Sequence, residues 1–183
     1  MPKDNIERAI KRGTGELKEA ELESFAFEAL GPGKIALIIE GITDNKNRTF
    51  QEIKQILSQN SGKIANEGSV KWMFEKKGVI IVNLEAQEPK MSKEDLELKI
   101  IDSGAEDFSW HENLLEIYSK TEEFEKIKSF LENKNIKTES DSIDWIAKDK
   151  ISVEQKEREA CERLFEALDE SDDVQETYSN LKD

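Results

Sequence analysis

The stretch from Val79 to Ile146 reads VIIVNLEAQEPKMSKEDLELKIIDSGAEDFSWHENLLEIYSKTEEFEKIKSFLENKNIKTESDSIDWI. Its punctuation decides the fold. Val79 to Leu84 is an apolar run of strand length, ended by Pro89 and its polar neighbours. Ser92 and Asp95 open a helix that turns Leu96, Ile100 and Ile101 inward and closes at Gly104. Asp107 to Trp110 and Leu114 to Tyr118 read as short strands around a His111-Glu112-Asn113 turn. Thr121 is placed to cap a second helix with Phe124, Ile127, Phe130 and Leu131 on one face. Ile136 to Ile146 is extended, with Ile143 and Trp145 on the same side. The order is β-α-β-β-α-β, the ferredoxin-like pattern, which fixes no function by itself.

Upstream, Ser24 to Leu30 alternates as a strand does, and Gly31-Pro32-Gly33 marks a turn. Lys34 to Ile42 is nearly all apolar, as a central strand is. The two form a hairpin. Gly31-Pro32-Gly33-Lys34 has neither the length nor the following helix of a phosphate loop. Thr49 and Glu52 have capping-box spacing before a helix bearing Phe50, Ile53, Ile56 and Leu57, ending near Gly62. Val70 to Phe74 reads as a strand, set apart from Val79 by Glu75-Lys76-Lys77-Gly78. At the amino end, Met1 to Arg12 reads as a short helix with Pro2 in its first turn, Asp4 and Glu7 at capping spacing, and Gly13 and Gly15 after it. Ile6 and Ile10 share one face; Arg8, Lys11 and Arg12 share the other.

Downstream, Ser152 and Gln155 suggest a cap for a helix with Ala160, Leu164, Ala167 and Leu168 on one face. Asp172-Asp173 is a turn, and Val174 to Tyr178 a final strand. The β-α-β-β-α-β unit is already complete, so this helix and strand must return to the first sheet. The expected organisation is a short helix over 1–15, a discontinuous α+β domain from 16–78 plus 150–183, and a ferredoxin-like domain inserted over 79–149.

Composition bounds the chemistry. The chain has 183 residues and a formal net charge of -14. One cysteine, Cys161, excludes an internal disulfide and fits a reducing compartment. Without a long apolar run or a charged-then-apolar leader, the expected location is cytoplasmic. The charge is uneven. Residues 31–78 carry 8 Lys/Arg against 5 Asp/Glu, whereas residues 79–183 carry 14 against 29.

Catalysis needs a nucleophile, base or metal set at workable spacing. His111 stands alone in a turn, and Cys161 sits beside an apolar helix face. Asp169, Glu170, Asp172 and Asp173 follow a helix end without calcium-loop spacing. No catalytic residue, cofactor or metal site is expected. Nucleic-acid contacts have better candidates. Lys3, Arg8, Lys11 and Arg12 charge the first helix. Lys46 and Arg48 sit in the loop before the Thr49 helix, whose N-terminus offers free N–H groups. Lys63, Lys71, Lys76 and Lys77 follow, with Trp72 and Phe74 among them. Interleaved aromatics can stack bases, although Trp72 and Phe74 also alternate as core residues do.

Several segments resemble one family. Met1-Pro-Lys-Asp-Asn-Ile-Glu-Arg-Ala-Ile-Lys-Arg-Gly-Thr-Gly15 is similar to the signature of YebC proteins. So are Gly31-Pro-Gly33, Thr43-Asp-Asn-Lys-Asn-Arg-Thr49, Gly68-Ser-Val-Lys-Trp-Met-Phe-Glu-Lys-Lys-Gly78 and Asp173-Val-Gln-Glu-Thr-Tyr-Ser-Asn180. The resemblance implies a helical bundle, then an α+β domain with a ferredoxin-like insert. It makes residues 1–15 a remnant of that bundle, most of whose basic part would be missing. It further implies a non-enzymatic regulator of gene expression. Family members are described as DNA-binding transcriptional regulators, and as translational activators that associate with the ribosome and ease stalled elongation. The partner is then DNA, ribosomal RNA or a ribosome, and the protein a monomer. The alternatives are a protein-interaction module using the acidic insert, or a truncated form with impaired nucleic-acid binding.

Overall fold

In the computed structural model, which describes residues 22–182, the chain runs β1 (Glu23–Leu30), β2 (Ala36–Thr43), α1 (Lys46–Gln59), β3 (Lys63–Ile64), β4 (Phe74–Asn83), α2 (Lys93–Ser103), β5 (Asp107–His111), β6 (Leu114–Lys120), α3 (Phe124–Asn133), β7 (Ser140–Ala147), α4 (Gln155–Asp169) and β8 (Val174–Ser179). The helix expected over Met1 to Arg12 lies outside the described residues. The fold is α+β, with two four-stranded sheets. Described residues up to Lys71 and from Ile151 onward form one unit, and Trp72–Lys150 form the other.

The first sheet has the order β3-β1-β2-β8. The apolar run of β2 is explained by its central place. Ala36, Leu37, Ile38 and Ile39 are each at most 2% exposed. Phe25, Ala29, Leu37 and Ile39 meet Ile53 and Leu57 of α1 and Cys161, Leu164 and Leu168 of α4 in one core. Each such aliphatic side chain stabilises the fold by about 1.5–3 kcal/mol relative to exposure. β8 closes the sheet by pairing antiparallel with β2, and the register slips between Glu40 and Gly41. Gly41 is required there, because a Cβ would lie 2.0 Å from the Asp173 carbonyl oxygen.

The second sheet has the order β5-β6-β4-β7, with every pairing antiparallel. With α2 and α3 as its helices, this is the ferredoxin-like arrangement. Ile80, Val82, Leu115 and Ile117 pack against Leu96 and Ile100 of α2 and Phe124, Ile127 and Leu131 of α3. Ser92 caps α2, its hydroxyl accepting from the Asp95 N–H at 3.1 Å, and Gly104 ends it at φ 82°. No helix among the described residues is long and apolar enough to cross a membrane.

Several local expectations are corrected. α1 starts at Lys46, capped by Asn45 rather than Thr49, so Lys46 and Arg48 lie in its first turn and not in a loop. Val70 to Phe74 is not a strand: Lys71–Met73 is a 3-10 turn. β4 instead runs from Phe74 straight through Glu75-Lys76-Lys77-Gly78. Pairing with β6 on one side and β7 on the other satisfies its backbone, which overrides the local turn signal. A Cβ on Gly78 would lie 2.3 Å from the Phe124 ring, so glycine lets α3 approach the sheet. The Thr121 hydroxyl donates to the Lys76 carbonyl at 3.2 Å and caps no helix. Glu154 and Glu157, not Ser152 and Gln155, make the capping box of α4. Ile101 points outward, 62% exposed.

Candidate nucleic-acid interface

Arg48 is held before it can reach any partner. Its guanidinium donates to Asp173 at 2.8 Å and pairs with Asp44 at 2.9 Å. The same Asp173 oxygen accepts from the Thr49 hydroxyl at 2.5 Å and the Thr43 hydroxyl at 3.1 Å. Burial pushes the Asp173 carboxyl up, but the bonds from Thr49, Arg48 and Thr43 outweigh it and hold the group below its usual range. The hydrogen bond to Asp173 in turn raises the Arg48 guanidinium. The Thr43-to-Thr49 signature is thus a clasp joining the end of β2, the start of α1 and the start of β8. Arg48 keeps an outer edge, 42% exposed. Lys46 is exposed beside it.

Lys63 and Lys71 lie elsewhere in the same unit. Lys63 pairs with Leu30 at the opposite end of β1 from the Thr43 clasp. Lys71 follows a loop that sequence reading missed as a site. The Glu28 carboxylate, only 8% exposed, accepts from the backbone N–H groups of Gly68 at 2.5 Å, Val70 at 2.6 Å and Lys71 at 2.8 Å. Burial raises the Glu28 carboxyl, and these three bonds with the Lys71 charge bring it below its ordinary value. The Gly68-Ser-Val-Lys71 signature is therefore a backbone nest already filled by an internal acid. Val70 is buried, while Ser69 and the Lys71 side chain are exposed.

In the second unit the candidates divide between the two faces of β4. Lys77 is 20% exposed and pairs with Glu106 at 3.0 Å and Glu75 at 3.9 Å. It lines a depression with Glu75, Lys76, Glu106, Lys120, Thr121 and Glu122, where the charges cancel. Lys76 borders this depression too, and its ammonium reaches across to β7. Its register partner on β7 is Trp145, and its ammonium lies 4.8 Å from the centroid of that indole. Trp72 is 64% exposed, and its carbonyl accepts from the Lys148 ammonium at 3.0 Å. Phe74 is core, at 3% exposure. The start of β4 and the end of β7 thus gather Trp72, Lys76, Trp145 and Lys148. Trp145 and Lys148 were not among the sequence candidates. The signal was topological: a ferredoxin-like order sets its last strand beside its first, which places residue 145 opposite residue 76. Lys3, Arg8, Lys11 and Arg12 lie outside the described residues.

The family model for the TACO1/YebC second and third domain matches residues 22–181. The chain belongs to the YebC family. A "Probable transcriptional regulatory protein" of Halothermothrix orenii is 43% identical over 182 residues, covering 99% of this chain and 71% of the relative. One of the same name from Thermotoga maritima is 40% identical over 100% of this chain and 70% of its own length. The crystal structure of the conserved hypothetical protein Aq1575 from Aquifex aeolicus superposes with a TM-score of 0.82 at 34% identity, over 100% of this chain and 74% of that one. Within this YebC chain, two of the signature segments carry internal fastenings, the Thr43 clasp and the Glu28 nest.

Proposed function

We propose that the chain is a non-enzymatic, cytoplasmic regulator of gene expression that grips an unpaired nucleic-acid strand. The observation that carries this reading is the aromatic and lysine corner formed by Trp72, Lys76, Trp145 and Lys148. An indole face takes any base and contributes about 1–3 kcal/mol per stacked base. The neighbouring ammonium groups meet the phosphates on either side. Flat stacking surfaces need bases that are already splayed out, as in RNA loops and single strands. This favours a ribosome-associated or RNA-directed role over duplex DNA binding. The relatives' name, transcriptional regulatory protein, supports the regulatory class. Lys46, the outer edge of Arg48, Lys63, Lys71 and the basic residues near the amino end would add phosphate contacts, without reading sequence.

The formal charge of -14 opposes any polyanion, so the grip is local and salt-sensitive. Fluorescence anisotropy of a labelled 12-nucleotide oligouridine against a 12-base-pair DNA duplex tests it. The single strand should bind more tightly, with a log–log salt slope of about -0.7 per phosphate contact. Trp72→Ala and Trp145→Ala should each weaken binding about tenfold or more. Equal affinity for the duplex, or binding indifferent to salt, overturns the reading.

A further inference from the structure

The outward face of α2 exposes two large apolar side chains. Leu98 and Ile101 are each 62% exposed, one turn apart on one stripe of the helix. Single apolar residues at a surface need no explanation, but these two are neighbours and have a charged frame. Glu94 and Asp102 flank them at i–4 of Leu98 and i+1 of Ile101, both exposed, and neither makes an ion pair among the described residues. The lysines of the helix do not neutralise this frame. The Lys93 ammonium donates to the Glu112 carbonyl at 2.8 Å and lies 4.6 Å from the Trp110 ring centroid. Lys99 is turned toward the Met91 sulfur at 3.7 Å. What faces solvent is an apolar pair rimmed by carboxylates.

We propose that this face docks a cationic, amphipathic segment of a partner protein, whose apolar residues cover Leu98 and Ile101 while its Lys or Arg side chains meet Glu94 and Asp102. Charge complementarity selects this occupant. A second copy of the chain would bring the same acidic rim against itself, and a nucleic acid would be repelled. The inference is independent of the aromatic corner.

The test uses the full chain and a 14-residue helical peptide of alternating leucine and lysine pairs. In titrations followed by amide chemical shifts, the largest changes should fall on residues 94–102. Leu98→Ser with Ile101→Ser should weaken binding about tenfold or more. Glu94→Lys with Asp102→Lys should weaken it at low salt and less at high salt. Both pairs are exposed, so the melting temperature should hold. A peptide of equal charge lacking leucines should bind at least tenfold more weakly. Shifts centred on another acidic surface, or affinity unchanged by Leu98→Ser with Ile101→Ser, overturn the proposal. So does a photo-crosslinking side chain at position 101 that captures a second copy or residues 1–21 of the free chain.

Discussion

The two sheets are alike in size and unlike in how they are closed. The second is assembled from one continuous stretch around a mainly apolar core, into which the buried Gln87 amide is tied by bonds to the Asn83 and Lys137 carbonyls and from the Lys137 N–H. Its charge pairs lie outside: Lys128 with Asp141 and Lys126 with Glu123, both at 2.6 Å. The first sheet joins segments far apart in the chain. There, polar groups do the joining. Asp173 binds Thr49 from 124 residues away, and Asn180 accepts from the Ala36 N–H from 144 residues away at 2.7 Å. Hydrophobic burial is non-directional and tolerates sliding. A hydrogen-bonded carboxylate is not so tolerant, and it fixes which strand lies beside which. Where the joined segments lie closer in sequence the core is mainly apolar; where they lie 124 and 144 residues apart, the Asp173 carboxylate and the Asn180 amide specify the register.

All three tryptophans, Trp72, Trp110 and Trp145, belong to the second unit. Indole fluorescence therefore follows one unit while far-UV circular dichroism follows both, and the contrast can be attacked with single substitutions. Gly41→Ala should have the largest effect, about 4 kcal/mol or more, because its Cβ meets a backbone carbonyl at 2.0 Å that cannot turn away. The loss should appear in the dichroism transition in urea. Asp173→Ala should follow, at about 2–4 kcal/mol, by leaving Thr43, Thr49 and Arg48 without their shared acceptor. If the fluorescence transition moves as far as the dichroism, the two units melt together and the contrast fails.

Gly78→Ala should cost about 1–3 kcal/mol and act through fluorescence, since the Phe124 ring it meets is a side chain that can shift. Glu28→Gln should cost about 1–2 kcal/mol by weakening the acceptor of three backbone N–H groups. Its effect depends on pH with a definite sign. The folded Glu28 and Asp173 carboxyls lie below their ordinary values of 4.5 and 3.8, so the stability they give is present above those values and lost as pH falls through the folded ones. The wild type should weaken below about pH 4.5, and Glu28→Gln should flatten that slope. Lys126→Ala, at an exposed pair, should leave both transitions where they were.

Elements governed by local chemistry were legible. Gly31-Pro32-Gly33, Ser92 and Gly104 each mark their turn or cap wherever the rest of the chain goes. The cap and strand failures have a cause far away in sequence. Asn45 and Thr49 are both capable caps, and the choice was made by Asp173, far away in sequence, which claims the Thr49 hydroxyl. Glu75 to Gly78 has the composition of a turn, but β7 pairs along all of it and β6 joins from Lys77. Ile100 and Ile101 are about 100° apart on a helix, and it is Ile100 that enters the core while Ile101 faces outward. The same holds for the site: Trp72 was visible as an aromatic among lysines, whereas Trp145 became visible only through its register with Lys76. Glu28 looked like one more strand acid until its three N–H donors were in place.

Where the second unit begins and ends has a consequence of its own. The Lys148 N–H donates to the Met73 carbonyl at 2.9 Å, so entry and exit run side by side as neighbouring rungs of one ladder. A module of this kind can be spliced into a host loop, or cut out and replaced by a few linking residues, with little demand on the host's own geometry. Lineages could exchange or redecorate residues 72–150 as a cassette while the surrounding frame stayed as it is.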